Sequence, residues 1–231
     1  DSSFTALVSN CTSALHLALI CNNIKKNDEV IVPSFTWISS INAILMVGAK
    51  PIIVDVDIKT MNISPEIIQK NINKKTKAIM VVHQFGNPCD MTRINKIARK
   101  NNIPIVEDSA CAMGAKYSDG KYVGNSKNLN CFSLHPRKII TTGEGGFLTS
   151  NSKKYEKRIR ILLNHGHKKN QSDDYFEEMG FNYRLSDIQA AIALSQIQHL
   201  RKMIKERKEL SNIYKSDITR KGIFFQDTVN K

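Results

Sequence analysis

An α/β fold is predicted, with three layers: a mostly parallel seven-stranded sheet and helices on both of its faces. Three observations predict it. Short apolar runs alternate with helix-spaced patterns along nearly the whole chain, the order produced when helical crossovers join parallel strands. Between the runs, apolar residues recur at three- and four-residue intervals, the period of a helix with one buried face. The 231 residues are enough to bury a full core, as one large domain or two small ones.

The elements follow in order. A strand is expected near residues 5–9, then a polar turn from Asn10 to Ser13 in which Thr12 or Ser13 caps a helix with Leu15, Ala18 and Leu19 on one face. A second strand, 29–32, runs into the turn Val32-Pro-Ser-Phe-Thr-Trp37, and a third covers 52–54. Ser64-Pro65 marks a helix start, since proline is tolerated in the first turn. Strand 78–82 precedes a helix presenting Ile94, Ile97 and Ala98. Strands 104–107, 129–133 and 146–149 complete the seven, and a helix bearing Tyr155, Ile159 and Leu162 follows. Ser186 caps a last helix, with Ile188, Ala191, Ile192 and Ser195 along one side, which is expected to continue far into the charged stretch 201–210. Residues 1–217 are read as one ligand-binding domain and 218–231 as the start of a smaller, truncated one. The chain begins without methionine on the approach to a strand and stops soon after a long helix, so a fragment is expected, truncated at its N-terminus.

Composition narrows the function classes. Apolar content of 41% and charged content of 24% are those of an ordinary globular protein. No apolar run reaches the roughly 18 residues needed to span a bilayer, and the start lacks a basic segment followed by an apolar one; no membrane association and a cytoplasmic location are expected. The net charge of +13 would suit a nucleic-acid partner, but the basic residues are spread over helix faces and turns where acids also occur. No nucleic-acid binding is expected, and the positive field favours a phosphorylated or nucleotide-linked substrate instead. Five cysteines lie far apart with no metal spacing, and neither they nor His83, His135, His165 and His167 form a metal set.

The chemistry centres on Ser133-Leu-His-Pro-Arg-Lys138 followed by Thr141-Thr-Gly-Glu-Gly-Gly146. A lysine ahead of a glycine turn, five residues after a hydroxyl, suits an amine held as a Schiff base with the hydroxyl near a cofactor phosphate. Arg137 beside it could favour the neutral amine. Asp108 ends an apolar strand, where open parallel sheets bind ligands and where a protonated pyridine nitrogen would find its partner, although a helix-capping aspartate reads the same way. Trp37 could stack on a flat ring or simply fill the core. Free N–H groups at the strand-to-helix turn 9–13 could hold a phosphate, as could those of any such turn. Asn182 precedes a helix cap and is otherwise a plain loop amide.

Together these segments resemble the DegT/DnrJ/EryC1/StrS family, the sugar aminotransferases of the aspartate-aminotransferase fold type (fold type I of the pyridoxal-phosphate transferases). The ordered matches are Ser9-Asn-Cys-Thr-Ser-Ala-Leu-His-Leu-Ala-Leu19, Asp28-Glu-Val-Ile-Val-Pro-Ser-Phe-Thr-Trp37, Val54-Asp-Val-Asp57, His83-Gln-Phe-Gly86, Glu107-Asp-Ser-Ala110, Ser133 to Lys138, Thr142-Gly-Glu-Gly-Gly146 and Phe181-Asn-Tyr-Arg-Leu-Ser186. The resemblance implies pyridoxal 5'-phosphate as cofactor, joined to Lys138, with Asp108 on the pyridine nitrogen and Trp37 against the ring. Ser133 and the backbone at Cys11 and Thr12 would hold the phosphate. Asn182 would reach the phosphate of a partner subunit, which implies a homodimer. The implied reaction carries an amino group from an amino-acid donor, expected to be glutamate, to the keto group of a nucleotide-linked sugar, with Lys138 moving the proton. Two residues depart from the family pattern. Cys11 stands where glycine or another small residue is usual, and its side chain could crowd the turn, while Cys111 stands where histidine or glutamine usually meets the ring hydroxyl. Related dehydratases that use the aminated cofactor replace the lysine with histidine, so Lys138 counts against that alternative. A non-catalytic sensor or regulator keeping the fold is the other.

Overall fold

The computed structural model of the chain describes residues 2–169, 174–218 and 222–228. Seven strands form one sheet: β1 (Phe4–Val8), β2 (Glu29–Pro33), β3 (Lys50–Val54), β4 (Thr76–Val82), β5 (Ile105–Asp108), β6 (Leu129–Ser133) and β7 (Gly146–Ser150). Their order across the sheet is β1-β7-β6-β5-β4-β2-β3. The β2–β3, β2–β4, β4–β5 and β5–β6 pairs are parallel, and β7 runs antiparallel to both β6 and β1. The expected strands are all present, most shifted by one or two residues at an end.

Period-two alternation divides the core into two layers. On one face, Val30, Val32, Met80, Val106, Leu129 and Cys131 pack against α1 (Cys11–Cys21), α2 (Ile38–Met46) and α5 (Glu156–Leu162). On the other, Ile31, Ile79, Val81, Ile105 and Phe132 meet α3 (Pro65–Asn71) and α4 (Met91–Lys100). Helix α1 is the most deeply buried, with Leu15, Leu17 and Leu19 without exposed surface. Its cap is Asn10, whose side chain accepts from the Ser13 N–H at 2.8 Å, not Thr12 or Ser13 as expected. The helix begins that early because Asn10 is still extended while Cys11 has already turned. Ser64 caps α3 with Pro65 in its first turn, as the sequence predicts.

The C-terminal helical stretch differs from expectation. Ser186 makes a full capping box with Gln189, but the helix is two: α6 (Asp187–Ile197) and α7 (Leu200–Asp217). They separate where the His199 N–H takes the carbonyl of Gln196, three residues back, and the four-residue ladder is interrupted. Neither helix has a buried residue; Ile188, Leu194 and Ile197 are exposed, so the apolar side of α6 has no cover from the described residues. A hairpin the sequence did not signal, β8 (His167–Lys169) and β9 (Asp174–Phe176), lies ahead of them. Within 218–231, residues 219–221 and 229–231 lie outside the described residues. The Asp227 N–H donates to the Lys59 carbonyl at 2.8 Å.

Candidate active site

Strand register gathers the chemistry at one end of the sheet. Val82 pairs with Asp108 and Asp108 with Cys131, two residues before the end of β6; Ser133 in turn pairs with Gly146, and Gly146 with Val8. The carboxyl ends of β1, β4, β5 and β6 and the start of β7 therefore lie side by side, and the segments carrying Cys11, Asp108, Ser133 and Lys138 leave the sheet there.

Asp108 is buried, and burial, which disfavours its charge, raises its carboxyl above the usual range. Two donors offset part of this: the Ser40 hydroxyl donates to Oδ2 at 2.7 Å and the Ala110 N–H to Oδ1 at 3.1 Å. Lys138 supplies a nearby positive charge that acts in the same direction.

Lys138 is half-buried in the loop between β6 and β7, and its Nζ lies 3.1 Å from the Cys111 sulfur. The loop closes on its own base: the Leu134 N–H donates to the Gly145 carbonyl at 2.9 Å and the Thr142 N–H to the Leu134 carbonyl at 3.0 Å. Gly143 takes φ of +80° in that turn, a conformation glycine adopts without strain. Gly146 matters for a different reason. A Cβ there would sit 2.7 Å from the Phe132 carbonyl oxygen and 2.8 Å from the Cys11 nitrogen, so only glycine lets α1 begin against β7.

At that helix start the Asn10 cap and carbonyl occupy the N–H groups of Ser13 and Ala14. Those of Cys11 and Thr12 have no hydrogen-bond partner among the described residues, the ordinary condition of a first helical turn. The half-buried Cys11 side chain packs against the core layer beneath α1. Burial, then the charge of Asp108, pushes its thiol up, so it stays protonated. The Ser133 hydroxyl is buried and accepts from the His135 N–H at 3.3 Å.

Trp37 is not core. It is 66% exposed at the N-terminal cap position of α2, with the Arg137 guanidinium 5.2 Å from its ring. Arg137 thus lies against Trp37. Asn182 is exposed on a segment that bridges to Asn164 and runs beside β1, where the Ser9 N–H donates to the Tyr183 carbonyl at 2.7 Å.

Sequence reasoning missed two groups. Ser40 carries no signal: a serine three residues after a tryptophan is unremarkable until the fold sets it on Asp108. The second group surrounds Glu107, on the opposite face of β5. The Cys89 N–H donates to His83 Nδ1 at 3.2 Å, so the ring proton is on Nε2, which donates to Glu107 at 2.8 Å. Tyr117 and Asn128 donate to the same carboxylate at 2.7 Å each. Burial opposes its charge, yet these donors hold Glu107 below the usual carboxylate range. His83 is a packed histidine, as the sequence favoured. Among the described residues no cluster of metal-ligating side chains occurs, and no helix is long and apolar enough to cross a membrane.

The sequence model of the DegT/DnrJ/EryC1/StrS aminotransferase family matches residues 2–231. GDP-perosamine synthase of Escherichia coli O157:H7 is 43% identical over 215 residues, covering 93% of this chain and 58% of that protein. The structure of S. venezuelae DesV in complex with a ketimine intermediate superposes with a TM-score of 0.90 at 32% identity, over 95% of this chain and 58% of that one. 3-Amino-5-hydroxybenzoic acid synthase gives a TM-score of 0.92 at 31% identity, over 98% and 60%. The chain thus spans somewhat under two thirds of the length of these relatives.

Proposed function

The chain belongs to the DegT/DnrJ/EryC1/StrS aminotransferase family, and from that membership we propose that it forms the cofactor-binding part of a pyridoxal 5'-phosphate-dependent aminotransferase. The amino group passes from an amino acid, glutamate by preference, to the keto group of a nucleotide-linked sugar, and the similarity to GDP-perosamine synthase favours a GDP-linked one. One observation carries the reading: a primary amine and a buried carboxylate share the carboxyl end of the sheet, close enough for the charge of Lys138 to lower the Asp108 pKa against the effect of burial.

The residues present fit this cofactor. Lys138 would bind its aldehyde and Asp108 its ring nitrogen, and the exposed face of Trp37 offers a plate for the ring. Ser133 and the unpartnered N–H groups of Cys11 and Thr12 would hold the phosphate, at a helix start where negative charge is favoured. Cys111 would lie near the ring hydroxyl. When bound, the cofactor supplies an aldehyde that accepts amines and a ring that spreads negative charge. The protein's part is proton movement and fixation: Lys138 removes the proton from the donor's α-carbon as base and returns it as acid, while Asp108 keeps the ring nitrogen protonated.

The reading extends to a cytoplasmic homodimer in which Asn182 acts on the partner's phosphate, and to a domain division at about residue 217. The exposed apolar side of α6 supports a subunit contact. Borohydride reduction, digestion and peptide mass analysis test the assignment. The label is expected on Lys138; a label on another amine, or none, overturns it. Lys138→Ala should leave a folded protein that forms no oxo acid from glutamate, and retained turnover would refute the role.

A further inference from the structure

We propose that Ser40 is a positioning residue for this site: its hydroxyl fixes the Asp108 carboxylate in one orientation and in the ionised form that pairs with a protonated pyridine nitrogen. The first half stands on geometry alone, and the second rests on the reading above.

Ser40 has no exposed surface and lies in the first turn of α2. Its single hydroxyl proton is committed to Asp108 Oδ2 at 2.7 Å. With that proton so placed, the Thr36 hydroxyl is the donor to the Ser40 oxygen at 2.8 Å, a shorter contact than its alternative to the Trp37 carbonyl at 3.4 Å. Thr36, Ser40 and Asp108 form a one-way chain of donation in which each bond polarises the next. With the Ala110 N–H on Oδ1, both carboxylate oxygens are tied and the group cannot rotate freely. The first turn of α2 adds the partial positive charge of a helix start.

The surroundings explain why a hydroxyl matters here. Asp108 faces Lys138 from the loop after β6, His83 from the end of β4, Cys131 from the neighbouring strand and Cys11 from the start of α1. The two thiols are pushed up by burial and remain neutral, and the His83 proton sits on the nitrogen turned to Glu107. Lys138 is therefore the one standing positive charge in this set, and the bonds donated by Ser40 and Ala110 add to it in holding Asp108 charged until a protonated ring nitrogen pairs with it. A serine that merely filled space would work equally well as alanine or cysteine.

The experiment compares Ser40→Ala, Ser40→Cys and Ser40→Thr with the parent protein. Cysteine preserves size but donates weakly, and threonine keeps the hydroxyl. In cofactor-free protein carrying ¹³C-labelled aspartate carboxyls, alanine and cysteine are expected to raise the Asp108 midpoint by about one pH unit, a tenfold change in ionisation, and threonine to follow the parent. In protein loaded with ¹⁵N-labelled pyridoxal phosphate, the ring proton should be lost about one pH unit lower in the alanine and cysteine variants, with the cofactor Kd raised about tenfold. Thermal melts check that all four proteins fold.

An Asp108 titration unchanged in both the alanine and cysteine variants overturns the proposal, as does a cysteine variant that behaves like the parent while threonine does not. A shifted Asp108 with an unmoved ring proton overturns the role in the reaction. A parent protein that takes up no cofactor while the Asp108 shift is seen defeats the proposed function instead, and supports the hold of Ser40 on the carboxylate.

Discussion

Two carboxylates sit next to each other on β5 and face opposite sides of the sheet. Glu107 is surrounded by donors from His83, Tyr117 and Asn128, and its charge is settled within the fold. Asp108 is equally buried but has two donors, Ser40 and Ala110, and its pKa moves the other way. Burial is the first cause acting on both; the number of donated hydrogen bonds decides which direction wins. A saturated carboxylate belongs to the scaffold, whereas an under-supplied one is ready for a positive ligand.

The largest effect should come from the scaffold side. Glu107→Leu strands His83, Tyr117 and Asn128 in the interior and is expected to cost about 3–5 kcal/mol, read from urea unfolding; a loss under 1 kcal/mol would remove the contrast. The pH dependence should separate the two next. The Glu107 pKa is lowered in the fold, so its contribution is present above the unfolded value of about 4.3 and fades as pH falls through the folded pKa. The Asp108 pKa is raised, so between the unfolded value of about 3.9 and the folded one the native state binds the extra proton, and stability drops as pH rises. Urea midpoints of the parent and of Asp108→Asn, followed from pH 3 upward, should therefore diverge in favour of the variant; parallel curves would show that Asp108 is not strained by burial.

At neutral pH, Asp108→Asn should change stability by about 1 kcal/mol or less while abolishing cofactor retention, as measured by melts and by the absorbance remaining after gel filtration. The smallest effect is chemical. Cys111 is exposed on the Asp108 side beside Lys138, whereas Cys21 is buried with its thiol pushed up to about 12, and Cys89 and Cys131 are buried as well. Iodoacetamide should label Cys111 first in the native protein, and added pyridoxal phosphate should slow that labelling; equal rates for all five thiols would contradict the packing.

Much of this was legible beforehand. The strands and the helix caps at Ser64 and Ser186 follow from local patterns, because alternation, period and capping are properties of neighbouring residues. Lys138, Asp108 and Ser133 could be singled out because glycine turns and strand ends are written locally too. The cap at Asn10 was misplaced by two or three residues, since Asn, Thr and Ser all suit that role and only the backbone angle at Asn10 selects among them. The break at His199 has no proline or glycine to announce it. Trp37 could not be assigned to core or surface, as an aromatic after a strand serves either.

The sequence by itself determined the seven strands of the sheet and which side chains could carry amine and carboxylate chemistry. Tertiary structure alone decided that Ser40, 68 residues away in sequence, would donate a hydrogen bond to Asp108, and that Glu107 would be saturated while its neighbour was not. Hydrogen-bond supply to a buried charge depends on which elements pack against each face of a strand. That is set by sheet order and register, which no local pattern in the chain encodes.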